Sequence, residues 1–350
     1  RAAPGQLTNA EGHELIDQLT SYERPYPMLV LTGGDCFERP DLVDLIEYAV
    51  GKGLHVSISP SVTPLFTRER VKAVQDAGVS VMSMSLDGGS AETHDAFRGF
   101  PGTFDRTIEA CHMLNELGMR FQLNTVFTAK NIHEAPQMLK NAIDLGAFMF
   151  YTFMLVPTGR GQHLDMLTPH EREDVLHWLH DNSTRIAIKT TEAPQYRRIA
   201  FQREAVRQGK AAPAKHGELY HWLTKETHEL LGENIEEPRP PRTPLAINSG
   251  SGFAFIDHTG DVYPSGFLPI HCGSIKDTPF PQIYRESEVF RALRNPSGFE
   301  GKCGACEFNH FCGGSRSTAY AMTGNYLASD PSCAHIPAGY TGELPEGIER

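Results

Sequence analysis

The stretch MLVLTGGDCFERPDLVDLIEYAVGKGLHVSIS, residues 28–59, contains a strand, a helix and a second strand in succession. Residues 28–31 are an apolar run that leads into two glycines, as a buried parallel strand does where it enters a tight loop. Apolar residues then recur at helical spacing over residues 42–49, and Pro40 is expected in the first helical turn. A strand over residues 55–59 completes the unit. The stretch therefore predicts parallel strands joined by helices, which is the α/β class.

The same unit repeats further along the chain. Thr168 and Glu171 have the spacing of a capping box, and Pro169 between them suits a first helical turn, so a late helix is expected to begin there. Strands and helices that alternate in this way indicate a sheet that wraps like a barrel. The predicted strands are residues 28–31, 55–59, 79–86, 119–127, 147–156 and 186–191.

A change in composition divides the chain. Residues 209–245 are rich in charge and proline around one predicted helix, residues 218–231. Beyond them, residues 252–256 and 261–263 flank a turn and predict a β-hairpin. A chain of 350 residues also exceeds the roughly 250–300 residues that one hydrophobic core supports. The expected domains are a barrel over residues 1–208, a linker with a helix over 209–246, a second domain over 247–340 and a tail over 341–350.

Charge and composition exclude some classes of partner. The 32 Lys and Arg residues against 43 Asp and Glu residues give a net charge of -11, which repels a nucleic-acid backbone. No apolar run approaches the roughly 20 residues that a membrane span needs, so no membrane partner is expected. Seven cysteines without a signal-peptide pattern indicate metal binding in a reducing compartment rather than disulfides, and we expect the cytoplasm.

Four of the cysteines form the strongest chemical pattern in the chain. Three have C-x2-C-x5-C spacing and the fourth follows 21 residues later. Four thiolates suit either tetrahedral zinc or an iron-sulfur cluster, and neighbouring glycines indicate a loop wrapped closely around the metal. Cys272 is either a spare ligand or a buried thiol, and Cys36 and Cys111 are interpreted as structural. The candidate ligands are Cys303, Cys306, Cys312 and Cys333.

The runs GKCGACE, residues 301–307, and FCGGSR, residues 311–316, resemble the C-terminal cluster region of radical S-adenosylmethionine (SAM) proteins with SPASM or Twitch domains. Within that superfamily the chain most resembles the branch that contains the alternative haem synthase and the denitrification haem-biosynthesis enzyme, and the resemblance covers nearly its whole length. The resemblance implies a partial (β/α)6 radical SAM barrel, followed by a small Twitch/SPASM-like iron-sulfur domain.

The resemblance also implies a SAM site at the carboxyl ends of the strands. Gly33, Gly34 and Asp35 occupy the place of a Gly-Gly-Glu motif that binds the SAM ammonium, with a carboxylate one methylene shorter. Ser85 and Arg98 fall where relatives bind the SAM carboxylate, a group that suits an arginine fork. The remaining candidates are Asn124, which matches a ribose contact, and Val156 and Pro157, which match the loop beside the adenine.

The sequence departs from the family pattern in two ways. Ser265 and Ser315 stand where relatives often have cysteines of a second auxiliary cluster, so a single auxiliary 4Fe-4S cluster is expected. The C-x3-C-x2-C motif that binds the SAM-cleaving 4Fe-4S cluster is absent. This motif and the first barrel strand are expected upstream of Arg1, so the strand at residues 28–31 is expected to have an open edge. The chain alone is then expected not to cleave SAM.

The implied activity is reduction of SAM to a 5'-deoxyadenosyl radical, which takes a hydrogen atom from the substrate. A flavodoxin or ferredoxin is the expected reductant. The branch resembled suggests a tetrapyrrole substrate whose carboxylate side chain is lost or oxidised, in haem-type biosynthesis. Arg197 and Arg198 are candidate contacts to propionates, although a solvated helix start explains them equally well. The alternatives are a radical SAM maturase of a ribosomal peptide and, from another class, a non-enzymatic zinc-binding interaction module.

Overall fold

The computed structural model describes residues 4–235, 238–240 and 244–349. In this part of the chain six strands form one parallel sheet in sequence order, so each strand lies beside the strand that follows it. The predicted parallel α/β architecture is therefore confirmed. The strands are β1 (Leu29–Leu31), β2 (Val56–Ile58), β3 (Val81–Ser85), β4 (Phe121–Phe127), β5 (Met149–Met154) and β6 (Ala187–Thr191).

Helices connect the strands and continue into the C-terminal part of the chain. The helix at residue 169 begins as its sequence predicts, because the Thr168 hydroxyl accepts from the Glu171 N–H at 3.2 Å and the Glu171 carboxylate accepts from the Thr168 N–H at 2.8 Å. The helices are α1 (Asn9–Leu19), α2 (Leu42–Gly51), α3 (Arg68–Asp76), α4 (Ala91–Arg98), α5 (Thr103–Glu116), α6 (Ala135–Asp144), α7 (Pro169–Asn182), α8 (Gln195–Arg207), α9 (Glu218–Leu231), α10 (Phe280–Glu286), α11 (Glu288–Leu293), α12 (Gly301–Gly304) and α13 (Arg316–Thr323).

One local expectation was wrong, and one helix was not predicted. Pro40 lies outside α2, since Asp41 occupies the N-cap and the helix begins one residue later. Helix α4 was not predicted, because it is only eight residues long and follows two glycines. Its N-cap is Ser90, whose hydroxyl accepts from the Thr93 N–H at 3.4 Å, and this helix carries Arg98 at its last position.

The two faces of the parallel sheet differ in burial. Side chains alternate along β4, where Phe121, Leu123, Thr125 and Phe127 are buried and the residues between them are partly exposed. The buried set packs under the helices as part of the hydrophobic core. The partly exposed set, which includes Gln122 and Asn124, therefore lies on the inner face of the sheet, where a ligand has access.

Helix α9, from the segment expected to be a linker, packs into the main core. Its Leu223 is fully buried, and the Trp178 indole N–H on α7 donates to the Thr227 hydroxyl at 2.9 Å. A second sheet follows in the C-terminal part of the chain, formed by β7 (Phe255–Ile256), β8 (Asp261–Tyr263) and β9 (Gly273–Ser274). Strands β7 and β8 are antiparallel, which confirms the predicted hairpin.

Strand β1 forms one edge of the parallel sheet. Within residues 4–235, 238–240 and 244–349 it pairs only with β2, and Met28 and Val30 are 65% and 46% exposed. The edge therefore presents both apolar side chains and backbone hydrogen-bonding groups. None of the helices in the described residues is long and apolar enough to cross a membrane.

Candidate functional site

The structure brings the four candidate cysteines into one cavity, here called the cluster cavity. Cys303 lies on α12, Cys306 and Cys312 lie in the loop that follows, and Cys333 reaches the cavity from beyond α13. The lining residues are Arg198, Lys302, Cys303, Cys306, Asn309, Cys312, Gly313, Gly314, Cys333, His335 and Pro337.

Backbone and side-chain N–H groups point at the cysteine sulfurs. The Cys303 Sγ accepts from the Asp330 N–H at 3.3 Å and from the Arg316 guanidinium at 3.4 Å. The Cys306 Sγ accepts from the Phe308 N–H at 3.4 Å. Hydrogen bonds of this kind stabilise the anionic form of the Cys303 and Cys306 sulfurs, which is the form that ligates a metal.

Glycine is required where the loop turns around the cavity. Gly314 has a φ of +67°, and a Cβ added there would lie 3.0 Å from the Cys303 Sγ and 2.8 Å from the Asp330 Cβ. Any side chain at this position would therefore press on a candidate ligand.

Two buried cations lie beside the cysteine sulfurs and would stabilise thiolates bound to a metal centre. Burial raises the pKa of Cys312 to about 11 and that of Cys333 to about 12, although Arg198 acts in the opposite direction on both. Bound metal would displace the protons, because the thiolate is the form that ligates. Arg198 and Lys302, each 2% exposed, are buried cations that would balance part of the resulting negative charge.

The spacing of the sulfurs distinguishes the two metal centres that four thiolates suit. Tetrahedral zinc, with Zn–S bonds of about 2.3 Å, holds its thiolates within about 3.8 Å of one another. In the described part of the chain, no three of the four sulfurs lie within 4.8 Å of one another. A 4Fe-4S cluster binds each thiolate to a different iron and so needs wider separation. The four sulfurs therefore fit a 4Fe-4S cluster better than a zinc ion bound by four thiolates.

The two serines at the positions of the missing cysteines contact a buried carboxylate instead. The Ser315 hydroxyl donates to Glu192 Oε2 at 2.6 Å, and the Ser265 hydroxyl lies 3.5 Å from Oε1. Ser317 adds a third hydroxyl at 3.0 Å from Oε1. Glu192 has a φ of 56°, which is rare for a residue with a side chain, and burial raises its pKa. These serines are thus used in a hydrogen-bond network between β6 and the C-terminal part of the chain.

Most of the candidate SAM residues lie at the carboxyl ends of the parallel strands, whereas Asn124 lies in the middle of β4. Gly33, Gly34 and Asp35 follow β1, Ser85 is the last residue of β3, and Val156 and Pro157 follow β5. Asn124 is paired in register with Ser85. The Asp35 carboxylate accepts from the Phe37 N–H at 3.1 Å and from the Thr63 hydroxyl at 2.6 Å, so its orientation is held by neighbouring loops.

Arg98 reaches the same end of the sheet. Its guanidinium lies 2.5 Å from the carboxylate of Asp87, which follows β3 by two residues and is 1% exposed. Asp87 is itself held by the Val126 N–H at 2.7 Å. Arg98 keeps 35% of its side chain exposed, so this side chain remains accessible to a ligand. Val156 differs from the other candidates, since its side chain is buried.

Arg197 and Arg198 do not serve as propionate contacts, nor do they form a solvated helix start. The Arg197 guanidinium donates to the carbonyl oxygens of Leu245, Ile247 and Cys312 at 2.7–3.0 Å. Arg198 makes two hydrogen bonds to the Glu173 carboxylate, at 2.8 and 2.6 Å. Both arginines therefore form hydrogen bonds within the fold. Arg198 also lines the cluster cavity, a position that the sequence did not predict.

Sequence reasoning also missed an inward-facing row of residues. Register places Ser85 beside Asn124, Asn124 beside Tyr151, and Tyr151 beside Lys189. These four residues are here called the inner row. The alternating pattern of β5 was the available signal, because it places Tyr151 and Phe153 on the face opposite the buried Phe150 and Thr152.

Comparison with known proteins identifies the family. Residues 3–142 match the model of the radical SAM superfamily. The AdoMet-dependent heme synthase of Oleidesulfovibrio alaskensis is 39% identical to the chain, over 95% of the chain and 81% of the relative. The chain belongs to the radical SAM superfamily. It is therefore a radical SAM enzyme, with SAM and 4Fe-4S clusters as its cofactors.

Two further proteins are similar to this radical SAM enzyme. The pre-heme d1 synthase of Dinoroseobacter shibae is 28% identical, over 97% of the chain and 81% of the relative. The solved structure of Streptococcus suis SuiB bound to S-adenosylmethionine superposes with a TM-score of 0.62 at 12% identity, over 94% of the chain and 71% of SuiB. The structural likeness confirms the fold, a radical SAM sheet with a SPASM-like C-terminal part.

Replacing Arg98 by methionine is expected to weaken SAM binding roughly ten- to a hundredfold, because a hydrogen bond to a charged group contributes about 1.5–3 kcal/mol. Equilibrium dialysis of SAM against the anaerobically prepared enzyme measures the change. Arg98→Lys should bind SAM with intermediate affinity, since it keeps the charge but loses the fork. Arg106→Met, on an exposed position of α5, is the matched control. Equal SAM affinity in Arg98→Met and wild type would remove Arg98 from the SAM site.

Proposed function

We propose that this radical SAM enzyme modifies a carboxylate side chain of a tetrapyrrole in haem-type biosynthesis. The observation that carries the proposal is the 39% identity to an AdoMet-dependent heme synthase over 95% of the chain. Pre-heme d1 synthase, at 28% identity, is a second relative named for a haem product. The non-enzymatic zinc module is set aside, because the chain belongs to an enzyme family and the sulfur spacing fits a cluster better than zinc.

The cofactors and the protein have different tasks in this reaction. When bound and reduced, the SAM-cleaving 4Fe-4S cluster supplies the electron that generates a 5'-deoxyadenosyl radical from SAM. The protein binds SAM at the carboxyl ends of the strands through Asp35, Ser85, Arg98 and Asn124, and shields the inner face of the sheet from water. Cys303, Cys306, Cys312 and Cys333 would hold the auxiliary 4Fe-4S cluster, which supplies one-electron redox chemistry next to the barrel.

The atoms and electrons of the proposed reaction, loss of the carboxylate from a propionate side chain, balance as follows. A –CH2–CH2–COO⁻ side chain becomes a vinyl group when one hydrogen atom leaves, the bond to the carboxyl carbon breaks to give CO2, and one electron departs. When bound, SAM would supply the 5'-deoxyadenosyl radical as the acceptor of the hydrogen atom, and the auxiliary 4Fe-4S cluster would supply the acceptor of the one electron. We also propose that the reductant for SAM cleavage is a flavodoxin or ferredoxin and that the enzyme works in the cytoplasm. For the domains, we propose that the segment after residue 208 adds its helix α9 to the barrel and that the second domain begins near residue 247.

Incubating the full-length native enzyme anaerobically with SAM, reductant and iron-coproporphyrin III tests the function. We expect 5'-deoxyadenosine to form together with porphyrin products that have lost CO2, as measured by mass spectrometry. The matched control is the tetramethyl ester of the same porphyrin, which should give no such product because its carboxylates are blocked. Formation of 5'-deoxyadenosine without any change in the porphyrin would contradict the tetrapyrrole assignment and favour the peptide alternative.

A further inference from the structure

The inner row leads across the sheet from the candidate SAM residues to a lysine. Ser85, Asn124, Tyr151 and Lys189 are paired in register on four neighbouring strands. Residues paired in this way in a parallel sheet point to the same face. Neighbouring strands are about 4.8 Å apart, so Lys189 lies about 14 Å from Ser85 and about 10 Å from Asn124. The row therefore extends well beyond the SAM contacts.

Among the residues that the structure describes, Lys189 has no anionic partner. In the described part of the chain, several other lysines form ion pairs with a carboxylate within 4.0 Å, but the Lys189 ammonium forms none. Its ammonium instead lies 4.4 Å from the centroid of the Tyr151 ring. The side chain is only partly exposed, on the inner face of the sheet. A partly buried cation is costly without an anion, so its position fits a ligand that carries one.

Aromatic rings lie beside this lysine. The Tyr151 and Phe153 rings have centroids 4.6 Å apart, and Phe267 packs edge-on against Phe153 at 6.4 Å. Phe267 comes from the C-terminal part of the chain and remains 38% exposed. Tyr151, Phe153 and Phe267 are here called the aromatic shelf. Exposed aromatic surface next to an unpaired cation suits a ligand that is both flat and anionic.

We propose that Lys189 binds a carboxylate of the substrate while the aromatic shelf packs against its flat ring system. The proposal rests on the proposed function, since it specifies how the same site holds a tetrapyrrole. A substrate with several carboxylates would place one on Lys189 and present another to the SAM end of the inner row. Lys189 thus binds a carboxylate that does not react and selects the orientation of the one that does. The sequence suggested Arg197 and Arg198 as cations that contact a propionate, and we assign this role to Lys189 on β6 instead.

Titration of iron-coproporphyrin III into the cluster-loaded enzyme, followed by its absorbance, tests the proposal. Lys189→Met should weaken binding about tenfold or more, because a charge-assisted hydrogen bond is lost, whereas Lys189→Arg should stay within about threefold. Lys72→Met is the matched control, because Lys72 lies on the outer helix α3 and pairs only with the exposed Asp76 in the described structure. Iron content and the unfolding midpoint establish that each variant is folded and loaded.

The tetramethyl ester gives a second readout, because binding of the acid and of the ester can be compared on the same variant. The ester should bind Lys189→Met and wild type equally, so that the difference between acid and ester largely disappears in the variant. If wild type binds the porphyrin and Lys189→Met binds it equally well, the role of Lys189 is wrong while the proposed function stands. If wild type neither binds nor converts the porphyrin, the proposed function and this inference both fall.

Discussion

Replacing Cys312 by alanine is expected to remove the auxiliary cluster, with a loss of about four iron and four sulfide ions per chain. Cys312 is 8% exposed and lies in the cluster cavity with the other three cysteines. Removal of one thiolate leaves an iron of the cluster without its protein ligand, and among the residues described the cavity offers no fifth cysteine to replace it. Iron and sulfide analysis of the full-length, anaerobically reconstituted enzyme, together with its visible absorption, measures the loss.

Cys272→Ala is the matched control for this experiment. The Cys272 thiol donates to the Ile270 carbonyl at 3.4 Å and does not line the cluster cavity, so iron content should be unchanged. Loss of iron in Cys272→Ala would make Cys272 a ligand. Retention of full iron and sulfide in Cys312→Ala would show that the four cysteines do not share one cluster. Stoichiometric zinc without auxiliary iron in the wild type would show that the four cysteines bind zinc instead of a cluster.

Replacing Arg198 by methionine is expected to lower the free energy of unfolding by about 3–5 kcal/mol, since it leaves the Glu173 carboxylate, on a side chain that is 23% exposed, without its buried partner. Arg198 and Glu173 form a double hydrogen bond beside the cluster cavity, and the Arg198 side chain is 3% exposed. Anaerobic urea unfolding followed by circular dichroism measures the change. The double variant Arg198→Met/Glu173→Leu should recover much of the loss, because it removes both charges. A loss below about 1 kcal/mol in Arg198→Met would contradict the pairing.

The same pair gives a pH dependence with a defined sign. Burial by itself would raise the pKa of Glu173, but Arg198 and hydrogen bonds from His177 and Arg198 outweigh burial and hold that pKa well below its ordinary value of 4.5. A lowered pKa in the folded state stabilises the protein above the ordinary value, and this stability is lost as the pH falls below it. The difference between wild type and Arg198→Met should therefore narrow as the pH falls through 4.5.

A second measurement on Arg198→Met separates charge from packing. Loss of a buried cation beside the auxiliary cluster makes the more negative, reduced state less favourable, so the midpoint potential of the cluster should move lower. Arg198→Lys should restore part of the potential even if stability is not fully recovered, because the charge is kept and the fork is lost. An unchanged potential in Arg198→Met would limit the role of Arg198 to stability.

The amino-acid sequence by itself determined the order and kind of most secondary structure. Apolar runs and helical periods located the six parallel strands, and the box of Thr168 and Glu171 located the start of α7. Spacing also grouped the four cysteines, and the resemblance they carry identified the superfamily. These features depend on residues close together in the chain, where periodicity and capping act directly.

Tertiary structure alone decided which distant residues meet. The neighbouring sequence is consistent with solvent-exposed side chains at Arg197 and Arg198. In the structure, however, Arg197 donates to the carbonyl oxygen of Cys312, 115 residues away. Ser315 contacts Glu192 across 123 residues, so a position expected to be a lost ligand proved to be part of a buried network. Lys189 joined the inner row only through the register of β3 to β6. Burial, charge pairing and register arise from the packing of separate segments, and no local pattern contains that information.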